Sequence, residues 1–252
     1  MRKKTARGLA YSALNTEVVK MNGLFTEGNI GTMTLKNRII MTAIHTGYPE
    51  EKETAFLAGR AKGGAAAVTA VMGVSKTGAY ANMCVLEPGK KEMLCRMVSG
   101  IHEESGRLII QLFHAGRNGA RGMLADREAQ PAAPSPVPSP IYKEIPRELT
   151  AGEIKEIVRE FGRAALLCRE SGIDGVEISC SAGYLLSQFF SPLTNKRTDQ
   201  YGGDPENRMR FPLEVIMEVR RAAGCDYPVI LRVSAGDMLG GYGIKDTVEL
   251  VK

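Results

Sequence analysis

The stretch TAGEIKEIVREFGRAALLCRESGIDGVEISC, residues 150–180, sets the grammar of the whole chain. Thr150, followed three residues later by Glu153, reads as a reciprocal helix cap, each side chain accepting from the other residue's backbone N–H. Ile154, Ile157, Val158, Phe161, Ala165 and Cys168 then recur at helical spacing, forming one apolar stripe over residues 151–171. Gly172 stops that helix, because glycine enters the left-handed backbone of a helix end without steric cost. Residues 173–180 follow as a strand.

The same order returns on both sides. Met93, Leu94, Met97, Val98 and Ile101 mark a helical face over residues 92–105, Gly106 ends it, and RLIIQLF, 107–113, follows as a strand. Residues 56–62 read as helical, Gly63 and Gly64 as a stop, and 65–71 as an apolar strand, with an earlier strand at 38–44. Downstream, a helix ends at Gly224 before the strand PVILRVS, 228–234; Pro212 inside it predicts a kink or a fresh first turn. A last helix is expected to open with Asp246 and Glu249 as its cap. Five apolar strands separated by helices imply a parallel sheet covered by helices on its faces.

A doubly wound sheet and a (β/α)8 barrel share that pattern, and the loops separate them. A dinucleotide fold needs a glycine-rich fingerprint after its first strand, but MTAIHTG, 41–47, stands there. Distinctive polar residues occur instead at C-terminal strand ends: His45, Gln111 with His114, Tyr184 and Arg232. A barrel gathers its active site at those ends. Residues 115–146, with PAAPSPVPSPIY inside, read as a lid or packed loop, since the helix–strand order resumes after them.

Composition narrows the partners. Residues 1–20 hold a net +4 of the chain's formal +5, so the remainder is near neutral and no basic stripe points to nucleic acid. These residues are expected to be disordered, or upstream of a natural start at Met21, leaving 21–252 as the folded unit. Their apolar stretch at 9–14 is shorter than the ~7–15 residues of a secretory core. No apolar run approaches the roughly 20 residues of a membrane span. Cys84, Cys95, Cys168, Cys180 and Cys225 are scattered, with no C-x-x-C pair to hold zinc or an iron–sulfur cluster. Reduced thiols in a cytoplasmic protein are expected. The expected partner is a small-molecule substrate, with neither nucleic acid nor membrane; homo-oligomerisation is left open.

Three motifs carry a family likeness: LKNRIIM (35–41), QLFHAGR (111–117), and DGVEI…GYLLSQFFSPLTNKRTDQYGG…ENRMRFPLEV (174–215). Together they strongly resemble the Old Yellow Enzyme family of FMN-dependent oxidoreductases, from about residue 24 onward. IHTGYPEE (44–51) and PRELTAGEI (146–154) look most like its 2,4-dienoyl-CoA reductase and enoate reductase branch. The resemblance implies an α/β fold, a TIM (β/α)8 barrel of which about five of eight strands are present. It implies FMN across the C-terminal strand ends and NAD(P)H as the electron source. It also implies hydride transfer from reduced flavin to the β-carbon of an activated alkene, with Tyr184 protonating the α-carbon. Gln111 matches the glutamine at the flavin pyrimidine edge and Arg232 the arginine near flavin N1. Ala43, Ile44, Ala70 and Val71 match positions whose backbone lies near the ring. His45 matches a position that tunes the flavin or meets substrate. His114 is expected behind the site, His102 exposed on its helix, and Cys180 in packing. The charges of NKRTD, 195–199, are expected to pair with one another and fix their loop.

The pattern also departs from the family. Many members bind the substrate carbonyl with two side chains, three apart, just before the tyrosine. Those positions here are Ser179 and Ala182, of which only the serine can donate a hydrogen bond. The dienoyl-CoA branch likewise lacks the pair, which points to an unsaturated acyl-CoA or an enoate as substrate. That branch continues beyond its FMN barrel into an iron–sulfur cluster and an FAD module. The expectation is therefore that the chain is a fragment of such an enzyme, either active with FMN or catalytically inactive.

Overall fold

The computed structural model describes residues 23–237 and 240–252, so the expected N-terminal extension, residues 1–20, lies outside the described residues. An antiparallel hairpin opens the fold, β1 (Gly28–Ile30) and β2 (Met33–Leu35). Then come β3 (Ile40–Ile44), α1 (Glu50–Lys62), β4 (Ala67–Gly73), α2 (Lys91–His102) and β5 (Arg107–Phe113). The long loop after β5 contains two short paired segments, β6 (Ala132–Ala133) and β7 (Arg147–Glu148). The chain continues through α3 (Ala151–Glu170), β8 (Gly175–Cys180), α4 (Leu185–Phe190), α5 (Pro205–Ala223), β9 (Val229–Val233) and α6 (Ile244–Val251).

The main sheet has the order β3-β4-β5-β8-β9, and every neighbouring pair is parallel. Sheet order follows chain order with no reversal. A doubly wound sheet reverses at its switch point, so five successive strands in one direction form the arc of a barrel.

Side-chain alternation gives this arc two unlike faces. Leu108, Ile110 and Leu112 of β5, with Val176, Ile178 and Cys180 of β8, pack against helices that contribute Leu94, Ile101, Ile154 and Phe161. The opposite face is apolar at its lower end, where Ile109 and Ala67 meet Met33 and Leu35 of the hairpin, and again at its upper end on β4 and β5, where Val71 and Phe113 pack with Met83 and Leu124. Between these, Gln111 of β5, Glu177 and Ser179 of β8 and Arg232 of β9 make a polar patch on that face. The apolar runs in the sequence therefore describe the helix side and the floor, and conceal a polar patch in the interior.

The expected reciprocal cap on α3 is present: Thr150 Oγ1 accepts from Glu153 N at 3.3 Å, and Glu153 Oε2 accepts from Thr150 N at 2.8 Å. Helix α1 begins earlier than its apolar pattern suggested, directly after Pro49, because its first turn is acidic rather than apolar. Helix α5 runs through Pro212 as one element, with the buried ring packed into the core, so no fresh helix starts there. Helix α6 starts at Ile244, where Asp246 accepts from Gly243 N at 2.8 Å; Glu249 instead pairs with Lys252 at 2.7 Å and takes no part in the cap. The proline-rich loop is packed at its base, where Pro134 and Ser135 are buried, while Ile141 is 73% exposed at its outer turn.

Candidate functional site

The register of the parallel strands builds the site in layers. Val71, Gln111, Glu177 and Ile230 are aligned across β4, β5, β8 and β9, while Ser179 is aligned with Arg232 two residues further along. Aligned residues in a parallel sheet share a face, so the Gln111 and Glu177 side chains meet inside the arc. Gln111 Nε2 donates to Glu177 Oε1 at 2.5 Å, and Arg232 Nη1 lies 3.9 Å from that same oxygen. The Glu177 side chain is only 12% exposed. A carboxylate so enclosed requires partners, and the guanidinium and the carboxamide provide them.

Above this layer opens a cleft of about 230 Å3 at the C-terminal strand ends. It gathers seven of the nine residues singled out in the sequence: Ala43, His45, Val71, Gln111, Ser179, Tyr184 and Arg232. It does not gather Ile44 or Ala70. Ala70 points into the helix-side core, and Ile44 is 51% exposed. Ser181 and Ala182 of the turn before Tyr184 also line it, and Tyr80, Met83 and Phe113 complete walls that were missed in the sequence.

Tyr184 owes its position to a pinned turn. Ala182 has φ 53° and Gly183 φ 73°, two successive left-handed residues. For alanine this conformation costs roughly 1–2 kcal/mol, and the surrounding bonds hold it: Ser234 Oγ accepts from Ala182 N at 3.2 Å, while Asn118 Nδ2 and Gln188 Nε2 both donate to Gly183 O. Gly116, at φ +59°, lets the Gln188 amide approach so closely that a β-carbon there would collide with it. Tyr184 then stands at the start of α4, with its ring edge-on to Phe113 at 4.5 Å between centroids. Burial raises its pKa above the ordinary phenol value, the nearby Tyr142 adds to this, and interaction with the Tyr80 hydroxyl partly offsets it. Tyr80 is shifted upward more strongly, again chiefly by burial. Its hydroxyl donates to Asn118 O at 3.2 Å, and His45 stacks on its ring at 5.9 Å and 21°. Tyr184 therefore retains its proton at neutral pH and lines the cleft.

The remaining candidates lie outside the cleft. His114 is buried, accepts from Gly116 N at 3.1 Å through Nδ1, and has its pKa pushed down to about 4 by burial. It is a neutral packing residue. His102 is paired with Asp174 at 2.8 Å. Cys180 belongs to the helix-side core, its thiol pushed up to about 12 by burial. The NKRTD loop closes on itself as expected, with Arg197 bonded to Asp199 at 2.9 and 2.5 Å.

A polar cleft at the C-terminal ends of successive parallel strands, over an apolar floor, is the site plan of a β/α-barrel enzyme. The chain belongs to the NADH:flavin oxidoreductase / NADH oxidase family, whose sequence profile matches residues 23–250. It is 45% identical over 233 residues to a metal reductase of Desulforamulus reducens, covering 88% of this chain and 34% of that protein. It is 34% identical over 250 residues to an NADH oxidase of Thermoanaerobacter brockii, covering 91% and 37% respectively. It thus spans about a third of the length of these relatives. Among solved structures, a 2-naphthoyl-CoA reductase in complex with 2-naphthoyl-CoA superposes with a TM-score of 0.82 at 30% identity, over 91% of this chain and 38% of that one.

Proposed function

We propose that the chain carries the flavin and alkene site of an FMN-dependent ene-reductase acting on an unsaturated acyl-CoA or enoate. One observation carries the reading: the strand register brings Gln111, Arg232, Ser179 and Tyr184, from three different strands and their ends, around one cleft. These side chains suit a flavin ring. The Gln111 carboxamide can both donate and accept, which matches a pyrimidine edge of alternating N–H and C=O groups. Arg232 supplies a fixed cation for the negative charge of the reduced ring. Ala43, Ile44, Ala70 and Val71 offer backbone rather than side chains, consistent with the inward-packed methyl of Ala70. When bound, FMN takes electrons from NAD(P)H and supplies hydride to the β-carbon of an activated C=C bond.

This chain's own residues would do the rest. Ser179 and His45 hold the substrate from opposite sides of the cleft. Tyr184 would give its proton to the α-carbon, and the Tyr80 hydroxyl, by turning its one proton from Asn118 O, would support the phenolate left behind. Ala182, exposed and without a donor, leaves room beside Ser179 for a bulky thioester. The likeness to a structure holding 2-naphthoyl-CoA supports a thioester over a simple ketone. An iron–sulfur cluster and FAD, as the branch resemblance implies, would not be held by the residues of this chain, which offer no C-x-x-C ligand pair.

Anaerobic single-turnover oxidation of the dithionite-reduced, FMN-loaded chain tests the proposal. A 2-enoyl-CoA should reoxidise it faster than 2-cyclohexenone does. Equal inertness toward both, in a chain that retains FMN, would refute the ene-reductase reading.

A further inference from the structure

Glu177 is the one charged side chain in the polar layer that does not itself line the cleft, and the geometry points to a role for it. We infer that Glu177 is a positioning residue that sets both the orientation of Gln111 and the effective charge of Arg232, and so tunes the affinity and reduction potential of the flavin site. The inference rests on the proposed FMN reading.

The Gln111 amide is bonded to the Glu177 carboxylate through its nitrogen at 2.5 Å. A carboxamide has two faces that could point up into the cleft, and an ionised carboxylate beneath it can only accept. The N–H of Gln111 therefore turns down toward Glu177, and its carbonyl oxygen remains for the ring edge above. Without the carboxylate either face could present. The same oxygen lies 3.9 Å from Arg232 Nη1. At that distance it partly cancels the field of the guanidinium, an effect that solvent moderates because the Arg232 side chain is 39% exposed while Glu177 is 12% exposed. Arg232 therefore acts on the flavin as less than a full positive charge.

Two substitutions separate the two effects. Glu177→Gln keeps an acceptor for Gln111 and removes the charge. Arg232 is then uncompensated and the negative reduced ring is favoured. The flavin midpoint should move to a more positive potential by an amount equal to about a tenfold change in the redox equilibrium, ~30 mV for a two-electron couple. Glu177→Leu removes the acceptor as well. The Gln111 amide is released, and FMN should bind about tenfold more weakly, the worth of one well-formed hydrogen bond. In the Gln111→Met background the Leu substitution should weaken FMN binding no further, because the bond it breaks is already gone, while the potential should still move positive as Arg232 loses its neighbour. Glu177→Asp, which retains the charge, should restore most of the wild-type potential.

The experiment is fluorescence titration with FMN, plus spectroscopic potentiometry, on the 252-residue chain and these variants, with circular dichroism to confirm folding. If wild-type protein binds FMN while Glu177→Gln leaves the potential unchanged and the Leu and Met effects on affinity simply add, the inference fails and the proposed function stands. If wild-type protein binds no FMN, the proposed function fails and this inference fails with it.

Discussion

Two regions of this protein are rich in polar side chains, and they are built in opposite ways. In the loop after α4, Asn195 donates to Phe189 O and Tyr201 O, each at 2.7 Å. Arg197, its side chain only 5% exposed, bonds Asp199, Pro134 O and Leu149 O. These polar atoms bond within the protein and tie the loop, as a buttress, to the base of the proline-rich loop and to Leu149 before α3. In the cleft, Gln111, Ser179, Tyr184 and Arg232 line an open cavity at the strand ends. Polar density alone does not mark a site. Bonds still available toward a cavity do, because a ligand can then be recognised without breaking internal structure.

The sharpest way to break this contrast is to remove the proposed acid. Tyr184→Phe should slow single-turnover reoxidation by enoyl-CoA by about 10²–10⁴-fold, the usual worth of a positioned proton donor, with FMN affinity unchanged. A loss under threefold in stopped-flow traces would deprive Tyr184 of its role. In the buttress, Arg197→Ala should instead cost stability, about 3 kcal/mol, because two buried carbonyls lose their donor. Urea unfolding measures it, and a change below about 0.5 kcal/mol would show that the loop is not the internally bonded unit described.

His114 sharpens the comparison through pH. Its folded pKa, about 4, lies below the ordinary 6.5, so the unfolded chain binds the extra proton. The stability tied to this group is fully present above pH 6.5 and is lost as pH falls from 6.5 toward 4. The loss should total about 3 kcal/mol. Urea midpoints between pH 7.5 and 4.5 should fall less steeply in His114→Gln than in wild type; parallel slopes would mean that His114 is not buried neutral. The smallest expected effect is that of Tyr80→Phe. Removing a hydroxyl that supports the Tyr184 phenolate should slow turnover about fivefold, roughly one hydrogen bond. It should also raise the pH at which Tyr184 ionises, readable by ultraviolet titration.

Much of the fold was legible because the helix–glycine–strand order is local. Gly172, Gly106 and the Thr150–Glu153 cap announce their elements within a few residues. The hairpin β1–β2 escaped because its strands have three residues each, too few for a period. Helix α4 escaped because all six of its residues are buried, leaving no polar face to reveal helical spacing. At the site, Gln111, Tyr184 and Arg232 were visible as polar or aromatic residues at the ends of apolar runs. Glu177 left a fainter signal: with Ser179 it alternates with Val176 and Ile178, a period of two within a strand read as uniformly apolar. Its pairing with Gln111 spans 66 positions and depends on parallel register, which no local pattern encodes. Tyr80 sits in a loop, where position is set by tertiary packing alone.

The central claim is that the open polar layer receives a flavin ring. The most direct measurement is the visible spectrum of the purified 252-residue chain after incubation with FMN and gel filtration, with bound flavin counted per chain. The account predicts close to one FMN per chain in wild type, lost in Arg232→Met and retained in Arg221→Met, where the exchanged cation lies on the outer helix surface. A folded, monodisperse chain that elutes without flavin, or one that retains it equally in both variants, would contradict the account.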